Sequence, residues 1–158
     1  MTARLTHLNE RGEARMVDVG GKPATARQAI ARARLEAKRE TIDAIAGGTL
    51  NKGDALAAAR IAGIMAAKKT ADLIPLCHPI ALDGVEIDIA ASDGELVITA
   101  TARTSGPTGV EMEAMTAASV AALTLYDMAK GIDRGMRIAR IELVEKTGGK
   151  SGAWRRGE

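Results

Sequence analysis

The chain has almost no aromatic residues: there is no Phe among its 158 residues, and Tyr126 and Trp154 are the whole complement. A surface that binds single strands by stacking their bases needs several such rings, so their scarcity argues against that class. Cys77 is the only cysteine, which excludes an intrachain disulfide and a metal site built from a cysteine cluster. No apolar run approaches the roughly 20 residues of a bilayer-spanning helix. The opening MTARLTHLNERGEARM carries charges where a secretory leader needs an apolar block. A net charge of +2 is too small to argue for nucleic acid by itself. The expectation is a cytoplasmic protein with neither a membrane nor a nucleic-acid partner.

What is present is Ala, Leu, Ile, Val and Met in quantity. A core of such small side chains brings backbones close together, and Ala-rich helix faces suit packing against partners, so a homo-oligomer is expected. Residues 1–158 read as a single domain, without repeats or low-complexity tracts.

Met16, Val17 and Val19 around Asp18 predict a short strand over 15–19, ended by Gly20-Gly21. From Gln28 to Lys38, apolar and polar residues alternate with a period of two. That pattern predicts a strand although the residue types prefer helix. A short helix follows over 41–46, and Asn51 or Gly53-Asp54 opens a second that ends at Lys68-Lys69. Pro75 and Pro79 make the next stretch a rigid loop. Two alternating runs, 85–90 and 95–102, flank Ser92-Asp93-Gly94 and predict a hairpin. A long helix within 109–131, capped by Thr108 and leaving through a left-handed Gly131, precedes a last strand over 136–144. The order implies an α+β fold, with helices packed on one face of a mainly antiparallel sheet.

The long helix is the part richest in chemical groups. Glu111 and Glu113 stand at its start, and Asp127 and Lys130 share a face near its end. Glu113 and Asp127 are 14 residues apart, roughly 21 Å along one axis. One small substrate can hardly touch both from a single helix; either the ligand is long or two subunits complete the site. An Asp-x-x-Lys pair is commonly an ordinary ion pair, and pattern alone favours that reading. Its functional version is a general base or acid tuned by the lysine.

His78, held between Pro75 and Pro79, can relay protons near neutral pH or can simply bond the backbone; on this loop alone the two readings weigh equally. A packed thiol outweighs a nucleophile for Cys77, because no basic residue adjoins it. His7 has no context and is assigned no role. Lys52, Lys68-Lys69, Lys146 and Lys150 lie near glycines or helix ends, which points to a polyphosphate ligand. The tail's Gly149-Lys150-Ser151 is not a P-loop, because the leading glycine position, 144, is Val and no helix follows. No His/carboxylate pattern marks a metal cage.

LIPLCHPI at 73–80, TGVEMEAMTAASVAALTLYDMAK at 108–130, NKGD at 51–54 and KTGGKSG at 146–152 together closely resemble the cyclic pyranopterin monophosphate synthase family of molybdenum cofactor biosynthesis. The resemblance covers nearly the whole chain. It implies a ferredoxin-like fold and a homohexamer, a trimer of dimers with active sites at subunit interfaces. The implied reaction converts 3′,8-cyclo-7,8-dihydroguanosine triphosphate, supplied by an upstream radical enzyme, to cyclic pyranopterin monophosphate with release of pyrophosphate. The family's catalytic residues fall on Asp127, Lys130 and Lys52. Its substrate-binding residues fall on Leu76, Cys77, His78, Met112 and Glu113, with Glu111, Arg27 and Lys146 as further members and Asp18 as a looser match. No resident cofactor or protein-held metal is implied; a magnesium ion can accompany the triphosphate. Pro107 departs from the basic residue expected before Thr108-Gly109, leaving a phosphate contact absent or supplied by Arg103. The rival reading is a noncatalytic nucleotide-binding or regulatory paralogue, which should have lost the Asp/Lys pair.

Overall fold

A computed structural model of the chain describes residues 6–157. Its elements are β1 (Thr25–Glu36), α1 (Arg39–Ala46), α2 (Ala55–Lys68), α3 (Thr70–Leu73), β2 (Gly84–Ser92), β3 (Glu95–Gly106), α4 (Glu111–Ala129), β4 (Arg137–Thr147) and β5 (Trp154–Arg155). They form one sheet in the order β2-β3-β1-β4-β5, with every neighbouring pair antiparallel. The four long strands and the helical connections between them have the ferredoxin-like topology, and the fold is α+β as expected.

In β1 the period-two pattern prevails over helix propensity. Ala29, Ala31, Ala33 and Leu35 are buried, and across the β1–β3 ladder they meet Ala102, Ala100, Ile98 and Leu96, which are also buried. Burial of this alternating face supplies what the backbone preference of Ala does not. The helices cover the same face. Ala114, Ala117, Ala118, Ala121, Ala122 and Leu125 of α4 are all fully buried, and small side chains at these positions let the helix lie close to the sheet.

The local signals hold in most places. Asp54 caps α2 by accepting from the Ala57 N–H at 3.0 Å. Three expectations fail. Residues 15–19 form no strand and join no ladder among the described residues, and Ala14 makes only an isolated bridge to Leu8. Thr108 does not cap α4: the N-cap is Val110, with no side-chain cap bond, because the helix starts two residues later than Thr108 requires. Gly131 has no positive φ; the helix leaves through Lys130 in a right-handed conformation (φ −56°, ψ −24°), with its N–H bonded to the Tyr126 carbonyl.

Asp133, only 4% exposed, fixes the turn after α4. Its carboxylate accepts from the Lys38 N–H (3.0 Å), the Thr41 hydroxyl (3.1 Å) and the Gly135 N–H (3.1 Å). These bonds hold its pKa below the ordinary carboxylate value, the one from the Lys38 N–H most of all. The turn is thereby tied to the start of α1, on the path to Lys52.

Candidate active site

The proline-bounded loop after α3 runs beside the start of α4, and between them lies a cavity of about 320 Å³. Leu76, Cys77, His78, Glu111, Met112 and Glu113 all line it, so six of the residues singled out by sequence come together here. Glu113 is the chemically distinctive member, being 4% exposed. Burial raises its carboxyl pKa and the nearby Glu111 raises it further, against a lowering by its own backbone N–H. A carboxyl so placed can hold a proton at higher pH than an exposed one and can donate it. Burial, followed by the negative field of Glu113, also raises the pKa of the Cys77 thiol, which suits a packed thiol rather than a nucleophile. The Nε2–H of His78 donates to the Val17 carbonyl at 2.5 Å.

A second, smaller recess adjoins this cavity, with Glu111 and Gly109 lining both; its other walls include Arg27, Lys146 and Gly148. The Arg27 guanidinium donates from Nε to the Gly106 carbonyl (3.0 Å) and from Nη2 to the Pro107 carbonyl (3.3 Å). The Gly-rich tail closes over it. Gly148 (φ +88°) and Gly149 (φ +75°) adopt left-handed backbone conformations, and a side chain at either would run into β1: its backbone at Gly148 and the Arg27 guanidinium at Gly149. A Cβ on Gly148 would stand 2.1 Å from the Ala26 carbonyl oxygen, and one on Gly149 2.1 Å from Arg27 Nη1. Lys146, just before these glycines, donates to the Ser151 hydroxyl. Arg103 does not serve this recess. It lies on the sheet face away from the helices, where its guanidinium pairs with Glu86, so it cannot replace a basic residue at Pro107. Arg27 is the cation that reaches that position.

The remaining predicted residues gather at the other end of α4. Lys130 Nζ lies 2.7 Å from Asp127 Oδ1, and Lys52 Nζ lies 3.3 Å from Asp127 Oδ2 and 2.8 Å from the Asp127 carbonyl oxygen. One carboxylate is thus clamped by two cations from different segments, and all three side chains are about half exposed. Hydrogen bonds from Lys130 first and Lys52 second hold the Asp127 carboxyl below the usual carboxylate range, so it rests ionised. An isolated surface pair does not have this arrangement. The solvent-facing carboxylate stays ionised, and the lysines are placed to meet an anion.

The chain does not bring its two groups together. Glu113 and Asp127 lie 14 residues apart on one unbroken helix, roughly 21 Å along its axis. Among the described residues no three His, Cys, Asp or Glu side chains converge as a metal cage requires. Among the described residues no helix is long and apolar enough to cross a membrane.

Sequence reasoning missed the N-terminal wall of the cavity. His7, Val17, Val19 and Lys22 line it, although His7 was assigned no role and 15–19 was expected to be a strand. The legible signal was the alternation itself. Val17 and Val19 are half-buried while Met16, Asp18 and Gly20 are exposed, yet the covered side faces the cavity rather than a sheet.

Comparison with known proteins gives a consistent result. The family model described as "MoaC family" matches residues 16–149. Relatives named "Cyclic pyranopterin monophosphate synthase" include one from Novosphingobium aromaticivorans, 61% identical and covering 98% of each chain. One from Thermomicrobium roseum is 58% identical, covering 98% of this chain and 94% of its own. One from Geobacillus kaustophilus is 57% identical, covering 96% of each.

Proposed function

The chain belongs to the MoaC family, and from that premise we propose that it is a cytoplasmic cyclic pyranopterin monophosphate synthase acting as a homohexamer whose sites are completed across subunit interfaces. The substrate is 3′,8-cyclo-7,8-dihydroguanosine triphosphate, and the products are cyclic pyranopterin monophosphate and pyrophosphate. The observation that carries this reading is the clamp of Lys52 and Lys130 on Asp127. It pairs a resting base with cations, which proton transfer next to a polyphosphate requires. A noncatalytic paralogue would have no use for it.

In the proposed reaction a sugar hydroxyl attacks the α-phosphorus. A new O–P bond forms as the hydroxyl gives up its proton to a base, the bond to the β-phosphate oxygen breaks, and pyrophosphate leaves with that electron pair. Arg27, Lys146 and Lys52 neutralise the triphosphate. Asp127, tuned by Lys130, takes and returns protons during ring opening and reclosure, while His78 and Glu113 orient the base and can pass protons to it. A magnesium ion that arrives with the triphosphate would be held mainly by phosphate oxygens.

Two observations support interface sites. The 21 Å span of α4 separates the base from the cavity that would bind the purine. Large apolar side chains also stand exposed on the outer helices, Ile61 at 60%, Met65 at 51% and Leu123 at 55%. The test is complementation between inactive chains. Asp127→Asn and His78→Ala proteins are assayed alone and after unfolding and refolding together, with pyrophosphate and the fluorescent oxidised pterin as readouts. Each alone should lose turnover by roughly 10²–10⁴-fold. An equal mixture should regain activity at about a quarter of the sites, the share in which independent assortment supplies both intact residues. Recovery of nothing would refute shared sites, and full turnover by Asp127→Asn would refute the role of Asp127.

A further inference from the structure

Residues 6–22 form a strap that lines the main cavity through His7, Val17, Val19 and Lys22. Within it, the hydrogen bonds are local: Arg15 N–H to the His7 carbonyl (2.8 Å), Asn9 Oδ1 accepting from the Arg11 and Glu13 N–H groups, and Lys22 N–H to the Val19 carbonyl (3.0 Å). Among the described residues one hydrogen bond joins this strap to the rest of the chain, the one from His78 Nε2–H to the Val17 carbonyl. The strap shares no ladder with the sheet, and its half-buried residues Val17 and Val19 line the cavity.

A carbonyl oxygen can only accept. The bond therefore requires the proton on Nε2, and in neutral imidazole it leaves Nδ1 as the bare acceptor. A side chain that must orient a substrate gains from having its ring and tautomer fixed beforehand. We propose that the strap is a positioning element of the active site: the Val17 carbonyl holds the His78 ring and selects its Nε2–H tautomer, with Val17 and Val19 keeping that carbonyl in place. Val17 touches no reacting atom and acts through His78. The strap is then a wall of the site, and it points one carbonyl at the loop. The effect on turnover rests on the synthase reading; the hold on the ring does not.

The chain has only two histidines, His7 and His78, so its imidazoles can be read one by one in ¹⁵N-histidine spectra of the intact protein. In mildly alkaline buffer, His78 should show a low-field ring proton correlated with Nε2, visible because the bond shields it from exchange with water. An ester in place of the Val17–Asp18 amide makes the Val17 carbonyl a poorer acceptor without altering any side chain. In that protein the ring proton should disappear into exchange and kcat should fall about tenfold, with KM changed less than about twofold. Val17→Gly/Val19→Gly should behave likewise, and Val17→Ile should keep both the ring proton and the rate. The body keeps its sheet and core in all of these, because the strap contributes to neither.

A His78 proton on Nδ1 in the unaltered chain would overturn the inference. So would an ester protein with unchanged spectrum and rate. An unaltered chain with the expected spectrum but no synthase activity would refute the functional reading and leave the hold on His78 standing.

Discussion

Three glycines in the C-terminal tail separate the cost of a left-handed backbone from that of close approach. Gly148, Gly149 and Gly152 have φ of +88°, +75° and +68°. An alanine Cβ would meet the Ala26 carbonyl oxygen at 2.1 Å from Gly148 and Arg27 Nη1 at 2.1 Å from Gly149, but nothing within 4 Å from Gly152. Gly152→Ala should therefore show the backbone term alone, about 1–2 kcal/mol. At Gly149 the obstacle is the far end of a flexible side chain, so stability should fall little further. The displaced guanidinium, however, gives up its bonds to the Gly106 and Pro107 carbonyls. If Arg27 faces the triphosphate, KM should rise in Gly149→Ala and stay near normal in Gly152→Ala. At Gly148 the obstacle is the backbone of β1, which cannot swing aside, and overpacking adds about 1–3 kcal/mol, for a total of roughly 2–5 kcal/mol. The assay is the shift in thermal midpoint at one fixed protein concentration, beside KM for the cyclic triphosphate. The expected order of destabilisation is Gly148→Ala well above Gly149→Ala, with Gly152→Ala close to the latter. Equal midpoints for Gly148→Ala and Gly152→Ala would refute the close packing of the tail on β1.

Lys52→Met removes the weaker of the two cationic holds on Asp127. The carboxyl pKa then rises, so the acid limb of any Asp127-dependent turnover should move to higher pH while Lys130→Met moves it further; kcat–pH profiles of the two variants check the order. Glu113 is raised by burial, so the folded state binds its proton more tightly than the unfolded chain does. Its contribution to stability is complete below the unfolded pKa and is lost as pH rises through the folded value. Glu113→Gln should therefore gain stability relative to the parent as pH rises through that window and show no pH-dependent gain below it, measured by thermal midpoints across a pH series; a gain that grows toward acid would contradict the assignment.

The fold was legible where burial follows a simple period. In β1 the alternation of Ala and Leu with Arg and Gln marked one buried face, and the helix propensity of those residues did not decide the outcome. The same signal misled at Met16–Val19, because a period of two reports a segment covered on one side and says nothing of what covers it. There the cover is a cavity wall. At α4 the cap residues misled for a different reason: Val110 and Lys130 end the helix through backbone geometry that any residue can adopt, so neither Thr108 nor Gly131 was needed. The site residues were recognisable as types, and the clamp on Asp127 needed the fold, because Lys52 comes from a segment 75 positions away. The surroundings of Pro107 also depend on the fold: Arg27, whose side chain reaches its carbonyl, lies 80 positions away in the chain.

The two halves of the site are kept apart by the element that carries both. Nine side chains of α4 are buried, from Glu113 near its start to Ala129 at its end, so the helix lies against the sheet and α2 along its whole length. Such a helix cannot kink to bring its ends together without exposing its own core face. A hinge would have to lie elsewhere, yet Glu113 and Asp127 share the one rigid body. No bend of α4 itself can therefore bring the Asp127 carboxylate to the end of the helix that borders the His78 loop. Under the proposed reading, in which copies of the chain complete each other's sites, that fixed spacing becomes an advantage. Each helix would deliver its buried acid to one site and its clamped base to the next, so an interface that forms one site correctly would carry the geometry of its neighbour with it.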